Sequence, residues 1–498
     1  MNKSLSKLLL RTILLGLCWV IFLTNNPVQA KKKRSSLYSK SVFQTIVVKQ
    51  KPDYDHPWSV GNFSKSYGTA FLISGKRIIT NSHVISNAIT IYLKKEGDPK
   101  LYEAVTTTDG SDCDLALIQP KDNSFFRGTI PLKLGQDDPP DLDEEITALG
   151  FPLGVERLSI TRAVISRLDF DEYTHSFVSK HLLLQVDAAI NGGNSGGPVL
   201  WRKKVVGVAF EGISDAQSVG FAIPMTVVKH FLKDAADDHY EGFVKLNIEY
   251  QPINNTAAQD ALSLPDKESG VLVSNVFPNT PESKVLQLGD VILKINNEAI
   301  YSDGTIRFMD RQVPLEQATE NLFAGDTVFL SVLRDGKILT ITTKLQPFYP
   351  EKIIAPQYET RANYLILSGL IFQPLSDDTV TKESSIAIIY YWKYFIKDHL
   401  FETRKAPILL TGILPDIANQ HIRQDSTGIV HRVNGFKISS MADLLTALQH
   451  PMGKFHSIQL TSSPMPILLP VDQGEATKRV LSNYQIPESN FLSNQSEP

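Results

Sequence analysis

The 498-residue chain is too long for one hydrophobic core, which stops growing at roughly 250–300 residues, so about three folded units are expected. With 42% hydrophobic residues, 21% charged residues and a formal net charge of -3, it has a globular composition and no basic field of the kind nucleic-acid binding requires. Two cysteines, Cys18 and Cys113, the first in a segment expected to be removed, exclude a disulfide framework.

At the N-terminus, Lys3, Lys7 and Arg11 precede an apolar run from Thr12 to Leu23 and then Val28-Gln29-Ala30, small residues placed for signal-peptidase cleavage. Residues 1–30 therefore read as a secretory signal peptide, which implies an exported, periplasmic protein with no stable membrane span once it is removed. The alternative is an uncleaved anchor, suggested by the basic cluster Lys31 to Arg34. The shortness of the apolar run and the basic outer flank oppose it. Leu17 before Cys18 argues against lipid attachment.

Residues 31–238 form the first expected unit. From Ser41 to about Ile223 it reads as short β-branched and apolar runs between Gly, Asn, Asp and Pro: Phe43 to Val48, Ala70 to Ile73, Leu115 to Ile118, Glu145 to Leu149, Leu182 to Val186 and Val205 to Phe210. Many short strands with turn signals between them indicate a sandwich or barrel, making the fold mainly β. A helix over Thr226 to Ala236, with Val227, Val228, Phe231 and Leu232 on one face, closes the unit.

The second unit, 239–349, opens with Phe243 to Ile248 as an alternating strand and continues through Gly270 to Val273 and Asp290 to Ile295. Pro347, Pro350 and Pro356 punctuate a connector. The third unit, 360–475, has strands at Ile408 to Leu414 and Ile429 to Val433 and a helix carrying Met441, Leu444, Leu445 and Leu448. Residues 476–498 read as a polar tail with one short helix.

The chemistry is concentrated in Asn191-Gly192-Gly193-Asn194-Ser195-Gly196-Gly197-Pro198. The six residues from Gly193 onward would arise by chance at on the order of 10⁻⁸ per position, so coincidence is a poor explanation. A nucleophilic serine needs an exposed hydroxyl beside backbone N–H groups aimed at the oxygen that becomes negative. Glycines on both sides let the chain turn tightly enough to provide them, which makes Gly193, Asn194 and Ser195 the candidate oxyanion hole. A structural serine in a glycine turn is the bland alternative, and companion residues decide against it.

Upstream, Ile78-Ile79-Thr80-Asn81-Ser82-His83-Val84 puts a histidine, the candidate general base, just after a strand. Between the two, Asp112-Cys113-Asp114-Leu115 opens a buried strand; Asp114 is the candidate for holding the imidazole, with Asp112 in reserve. The order His, Asp, Ser in an all-β setting is that of chymotrypsin-like enzymes. An α/β-hydrolase elbow is excluded because strands, not a helix, follow Ser195.

With these residues assembled, the chain resembles the HtrA/Deg family of serine proteases over nearly its whole mature length. The resemblance rests on Thr80 to Val84, Asp114 to Ile118, Gly150-Phe151-Pro152-Leu153-Gly154, Asp187 to Ile190 with the serine loop, and Val219 to Pro224. Lys51 to Trp58, Cys113-Asp114 and Gly207 to Phe210 resemble the subgroup found in plant organelles and some bacteria. Gly192 stands where proline is usual and Ser82 where alanine is common.

The resemblance implies a chymotrypsin-like double β-barrel followed by two PDZ-like α+β domains, the second degenerate. It also implies a trimer or a multiple of trimers, unfolded or misfolded protein substrates, and no cofactor or metal. A primary pocket near Ile190, Ser218, Val219, Gly220 and Phe221 would take small or medium aliphatic side chains. Gly289 to Asn297, after Gly270 to Val273, resembles a PDZ domain, whose carboxylate loop would lie at Val244, Lys245, Leu246, Asn247 and Ile248. Such a domain adds a peptide to its sheet edge and caps the terminal carboxylate with backbone N–H groups. The third unit keeps Gly428 to Gly435 but lacks the Gly-Asp pair, which implies assembly in place of peptide capture. His175, His181, His230 and His239 show no metal-ligand pattern and read as surface or packing residues. The remaining alternative is a non-catalytic chaperone or peptide-binding scaffold that keeps the protease fold.

Overall fold

Strand-forming runs in the first half of the chain close into two separate barrels in the computed structural model. The structure describes residues 38–492 except 153–154, 174, 176–178, 189, 191, 211–218, 265–268, 357, 359–360, 381–383, 424–425 and 473. The signal-peptide reading of residues 1–30 and Ser218 of the expected pocket therefore lie outside the described residues. Among the described residues, no helix is long and apolar enough to cross a membrane.

The first barrel has strands β1 (Val42–Gln50), β2 (Phe63–Ile73), β3 (Arg77–Thr80), β4 (Ala88–Lys94), β5 (Leu101–Gly110) and β6 (Leu115–Pro120), closed in the order β1-β2-β3-β6-β5-β4. Alternation sets the inside: Ile91 and Leu93 of β4 and Tyr102 and Ala104 of β5 are buried, while Ile89, Leu101 and Val105 face outward. A single helical turn, α1 (Ser82–Ile85), follows β3. The second barrel has β7 (Glu145–Gly150), β8 (Ser159–Glu172), β9 (Lys180–Val186), β10 (Pro198–Trp201), β11 (Lys204–Phe210) and β12 (Gly220–Pro224), in the order β10-β11-β12-β9-β8-β7. Closure removes sheet edges from this half of the molecule.

Each barrel has its own core, around Phe43, Leu72 and Ile118 in the first and Ile165, Leu184 and Val199 in the second. A third cluster joins them: Phe71, Ile79 and Leu115 from one side meet Leu149, Phe151 and Phe210 from the other. Helix α2 (Met225–Asp234) seals this seam with Val227, Val228 and Phe231. Anything mounted where β3, β6 and the loop before β10 converge is held by both barrels.

The segment 243–247 differs from the alternating strand that its sequence suggests. Strand β13 begins only at Ile248 (Ile248–Pro252). Phe243 turns instead toward the protease barrels, where its ring meets His181 and His230 at 4.4 and 4.0 Å, while Val244 and Leu246 enter the core of the next unit. That unit continues with α3 (Thr256–Ala261), β14 (Val271–Val276), β15 (Val291–Ile295), the short β16 (Glu298–Ala299), the hairpin β17 (Thr305–Phe308) and β18 (Arg311–Pro314), a 3₁₀ turn at Leu315–Thr319, β19 (Thr327–Arg334) and β20 (Lys337–Lys344). Its sheet runs β13-β14-β15-β19-β20, which leaves one side of β13 without a strand partner among the described residues. The Gly289-Asp290 turn is locked because Asp290, 1% exposed, takes two hydrogen bonds from Arg334 at 2.6 Å.

The third unit repeats the plan with an addition. Its elements are β21 (Tyr364–Leu367), β22 (Leu370–Pro374), α4 (Ile386–Lys397), α5 (Leu400–Thr403), β23 (Ile408–Ile413), β24 (Gly428–Val433), β25 (Phe436–Lys437), α6 (Met441–Leu448), β26 (Phe455–Leu460), β27 (Ile467–Pro470), α7 (Gly474–Asn483) and β28 (Asn490–Phe491). By order along the chain, β22 with the following helix and strand corresponds to β13. Here β21 folds back through the Ser368-Gly369 turn and fills the edge that β13 leaves open, and β28 pairs on its outer side. Residues 476–491 thus form a helix and a strand of this unit, although their polarity suggested a tail; Val480 and Ile486 pack on Tyr364 and Ile366.

Candidate active site

His83 and Asp114 both come from the first barrel. Asp114 ends the β5–β6 turn at φ +51, a left-handed conformation that aspartate tolerates better than most residues. It is wholly buried, and its two carboxylate oxygens accept from the backbone N–H of His83 at 2.8 Å and from its Nδ1 at 2.7 Å. The Asp114 carbonyl accepts from Asn81 Nδ2 at 2.8 Å and from the Ser82 N–H at 3.3 Å. A carboxylate at Nδ1 requires the proton there and leaves Nε2 as the acceptor, the tautomer a general base needs. Asp112 takes no part: its carboxylate accepts from Tyr240 Oη at 2.6 Å and the Phe243 N–H at 3.1 Å, fastening the chain that leads into the second unit. Between the two acids, Cys113 is fully buried and burial pushes its thiol well above the usual range, so it is a packing residue and not a nucleophile.

Ser195 comes from the second barrel, in the loop before β10. Gly196 at φ +83 lies so close to the first barrel that a Cβ there would sit 2.2 Å from the Thr69 carbonyl. Gly197 N–H bonds the Asn194 carbonyl at 2.9 Å and Gly196 N–H the Ala209 carbonyl at 3.0 Å, which ties the loop to β11. Ser195 is 2% exposed and its Oγ has no hydrogen-bond partner. The structure thus joins acid to base and leaves the link from base to hydroxyl open.

Several contributors were not singled out in the sequence. Thr69 of β2 donates from its N–H to the Ser195 carbonyl at 2.9 Å and from Oγ1 to the Gly193 carbonyl at 2.7 Å. A β-bulge at Val48/Lys49 in the pairing of β1 with β4 turns Lys49 toward α1, where its Nζ donates to the His83 carbonyl at 2.7 Å. Burial lowers this ammonium to about 8, partly opposed by the Asp114 charge. His175 is buried as well: its Nε2 lies 3.1 Å from Ser82 Oγ, its ring is 6.2 Å from that of His83, and Tyr358 stacks on it at 4.5 Å. Burial lowers the His175 imidazole to about 4. Only its position opposite His83, unreadable from local sequence, marks it as more than packing.

Of the expected pocket residues, Ile190 packs on Gly220 at the start of β12, while Phe221 and Val219 belong to the seam between the barrels. A Cβ on Gly220 would lie 2.5 Å from Ile190 Cγ1, so the isoleucine fills the space beside that glycine. In the second unit, Val244, Lys245, Leu246 and Ile248 line a cavity of about 270 Å³ against Tyr250 and Leu315. Asn247 does not line it, because its Nδ2 turns inward to Glu282 at 3.3 Å. At one wall His181 presents Nδ1 to Glu320 at 3.0 Å and Nε2 to the Asp112 carbonyl at 3.1 Å. Burial opposes a charge on His181, but two acceptors at two nitrogens outweigh it and raise its proton affinity. His181 is thus a buried link between the two units, not a surface group.

Residues 68–208 match the family model of the trypsin-like peptidase domain, and residues 262–345 and 353–491 each match a PDZ domain model. Over 458 residues, 90% of this chain and 79% of the relative, the sequence is 30% identical to the putative mitochondrial protease Do-like 3 of Arabidopsis thaliana. The chain belongs to the Do-like (HtrA/Deg) serine proteases. It is also 25% identical to a probable periplasmic DegP-like serine endoprotease of Marinomonas, over 81% of this chain and 79% of that one. Among solved structures the HtrA-type protease AlgW with a tripeptide has the same fold, with a TM-score of 0.50 at 23% identity over 62% of this chain and 95% of that one. As a Do-like protease, the chain is a serine endopeptidase with a trypsin-like barrel pair and two PDZ domains. Among the described residues, no cluster of three His, Cys, Asp or Glu side chains is placed to hold a metal ion.

Proposed function

We propose that this Do-like protease is an exported, periplasmic endopeptidase that cleaves unfolded or damaged proteins through an acyl-enzyme, in the service of protein quality control. Ser195 Oγ attacks the scissile carbonyl, His83 Nε2 takes its proton and returns it to the leaving amine, and water then releases the acyl group. Asp114 stabilises the imidazolium, and the amides of Gly193, Asn194 and Ser195 receive the oxyanion. The observation that carries this reading is the two-point contact between the buried Asp114 and the His83 backbone and ring.

The open link to Ser195 suits a resting enzyme whose hydroxyl engages His83 when substrate is bound, since such bonds are often loose without one. The pocket of Ile190, Val219, Gly220 and Phe221, with Ser218, would admit a small aliphatic side chain once Ile190 shifts. The first PDZ unit, 239–349, captures C-terminal peptides along Val244 to Ile248. The third unit, from about 360, serves assembly into a trimer or a multiple of trimers. In support, β21 already fills the edge a peptide would need.

Ser195→Ala is expected to abolish cleavage of an unfolded protein such as casein while the oligomer stays intact. Full activity in that variant would end this reading. The open Ser195 link also suits the rival reading of a non-catalytic scaffold, which predicts no fluorophosphonate label on the unmodified enzyme in the presence of casein.

A further inference from the structure

The two halves of the proposed catalytic site are carried by different barrels, so something must set them in register. His83 and Asp114 hang from the first barrel, whereas Ser195 and Gly193 lie in a loop of the second that is mostly glycine. Such a loop has few side chains with which to fix its own peptide planes. The Ser195 hydroxyl makes no hydrogen bond that could place it.

One residue spans the gap. Thr69 is fully buried on β2, and all of its polar atoms are used. Its N–H holds the Ser195 carbonyl at 2.9 Å, and its Oγ1 donates to the Gly193 carbonyl at 2.7 Å. The same Oγ1 accepts from the Phe151 N–H at 3.0 Å, just past β7 of the second barrel. Its own carbonyl accepts from Thr80 Oγ1 at 2.8 Å, on the strand that leads into His83. The neighbouring glycines fit around it: a Cβ on Gly150 would come within 3.0 Å of Thr69 Oγ1, and one on Gly196 within 2.2 Å of its carbonyl. Two carbonyls of the nucleophile loop are therefore tied back by a single side chain and its own amide, and this residue is braced in turn against the base-bearing strand.

We propose that Thr69 is a positioning residue for peptide hydrolysis, holding the Gly193–Ser195 main chain of the second barrel in register with His83 and Asp114 of the first. The inference rests on the catalytic roles given above to Ser195, His83 and Asp114. The hydroxyl is the decisive group. It pins the Gly193–Asn194 peptide plane, while the amide bond to Ser195 would survive its removal.

The test compares Thr69→Val, which keeps the shape and loses the hydroxyl, with Thr69→Ser, which keeps the hydroxyl. Casein cleavage, the rate of fluorophosphonate labelling, melting temperature and oligomer size are measured on the full chain, with rates expressed per labelled site. Thr69→Val is expected to lower kcat by ~10²-fold with KM within about twofold, the scale of a small misplacement of reacting groups. Labelling should slow in parallel, and Thr69→Ser should recover most of the rate. Unchanged kcat per labelled site in Thr69→Val overturns the proposal, as does a fall in total activity that the loss of labelled, folded sites accounts for in full. If Thr69→Val does not fold, Thr69→Ala, which also removes the hydroxyl that holds the Gly193 carbonyl, is measured in its place. A lower kcat per site then supports the proposal, and an unchanged one overturns it. Ser195→Ala in the same assays separates the two levels: if it stays active, the catalytic assignment fails, whatever Thr69 does.

Discussion

Acidification should weaken the fold through one imidazole, and the size of the effect follows from its surroundings. His175 is packed between Ser82 and Tyr358, and burial lowers it from an ordinary 6.5 to about 4. The charges of His83 and Lys49 push the same way, while that of Asp114 opposes them. At about 1.4 kcal/mol for each tenfold in proton affinity, the drop amounts to about 3 kcal/mol. The unfolded chain takes up the proton near pH 6.5 and the folded chain only near pH 4. The stabilisation from the neutral ring is therefore complete above pH 6.5 and lost as the pH falls through about 4. His175→Phe keeps a ring to stack on Tyr358 but cannot titrate. Urea unfolding of both proteins at pH 7, 6, 5 and 4 should show their stability difference moving by about 3 kcal/mol in favour of the phenylalanine variant toward acid. The lost contact with Ser82 adds only a constant offset, and other acid-titrating groups cancel between the two. A difference that stays level from pH 7 to 4 would refute the account of a buried neutral imidazole.

Two further outcomes are expected. Asp114→Asn should lower kcat by ~10⁴-fold with KM little changed, because the ring would lose the partner that fixes its tautomer; activity within tenfold of the unmodified enzyme would mean that another acid does this work. Calorimetric titration of the Ser195→Ala protein with a C-terminal peptide should saturate at one peptide per chain, since β13 has a free edge and β22 does not; two equivalent sites would contradict the role given to β21.

Much of the site was legible in the sequence because its parts are local. A glycine-flanked serine, a histidine one step beyond an apolar strand and an aspartate opening another strand are short strings whose chemistry depends on neighbours in the chain. What joins them is not local. The Thr69 hydroxyl meets a carbonyl 124 residues away, and the Lys49 ammonium a carbonyl 34 residues away. No periodicity records such pairs. Strand positions in the barrels were read well, since alternation and closure agree there. The reading failed at Phe243 to Asn247, where alternating apolar residues serve two different cores in place of one sheet face. It also passed over α4, whose apolar and aromatic residues, broken only by Lys393 before Lys397, carry no clear period, and over β28, too short and polar to register as a strand. His175 and His181 read as surface or packing residues because only the fold brings them to His83 and Glu320.

Strand β21 has a consequence beyond the unit that contains it. A protein that handles extended chains risks having its own sheets lengthened by them, backbone to backbone. By folding its own segment onto β22, and then placing only the two-residue β28 outside it, the third unit ends its sheet on that side in a stub too brief to template a stranger. Under the function proposed above, the open edge at β13 is then where a peptide docks, and a chain lying there runs beside Glu320 and His181, within one hydrogen bond of the loop that carries Asp114.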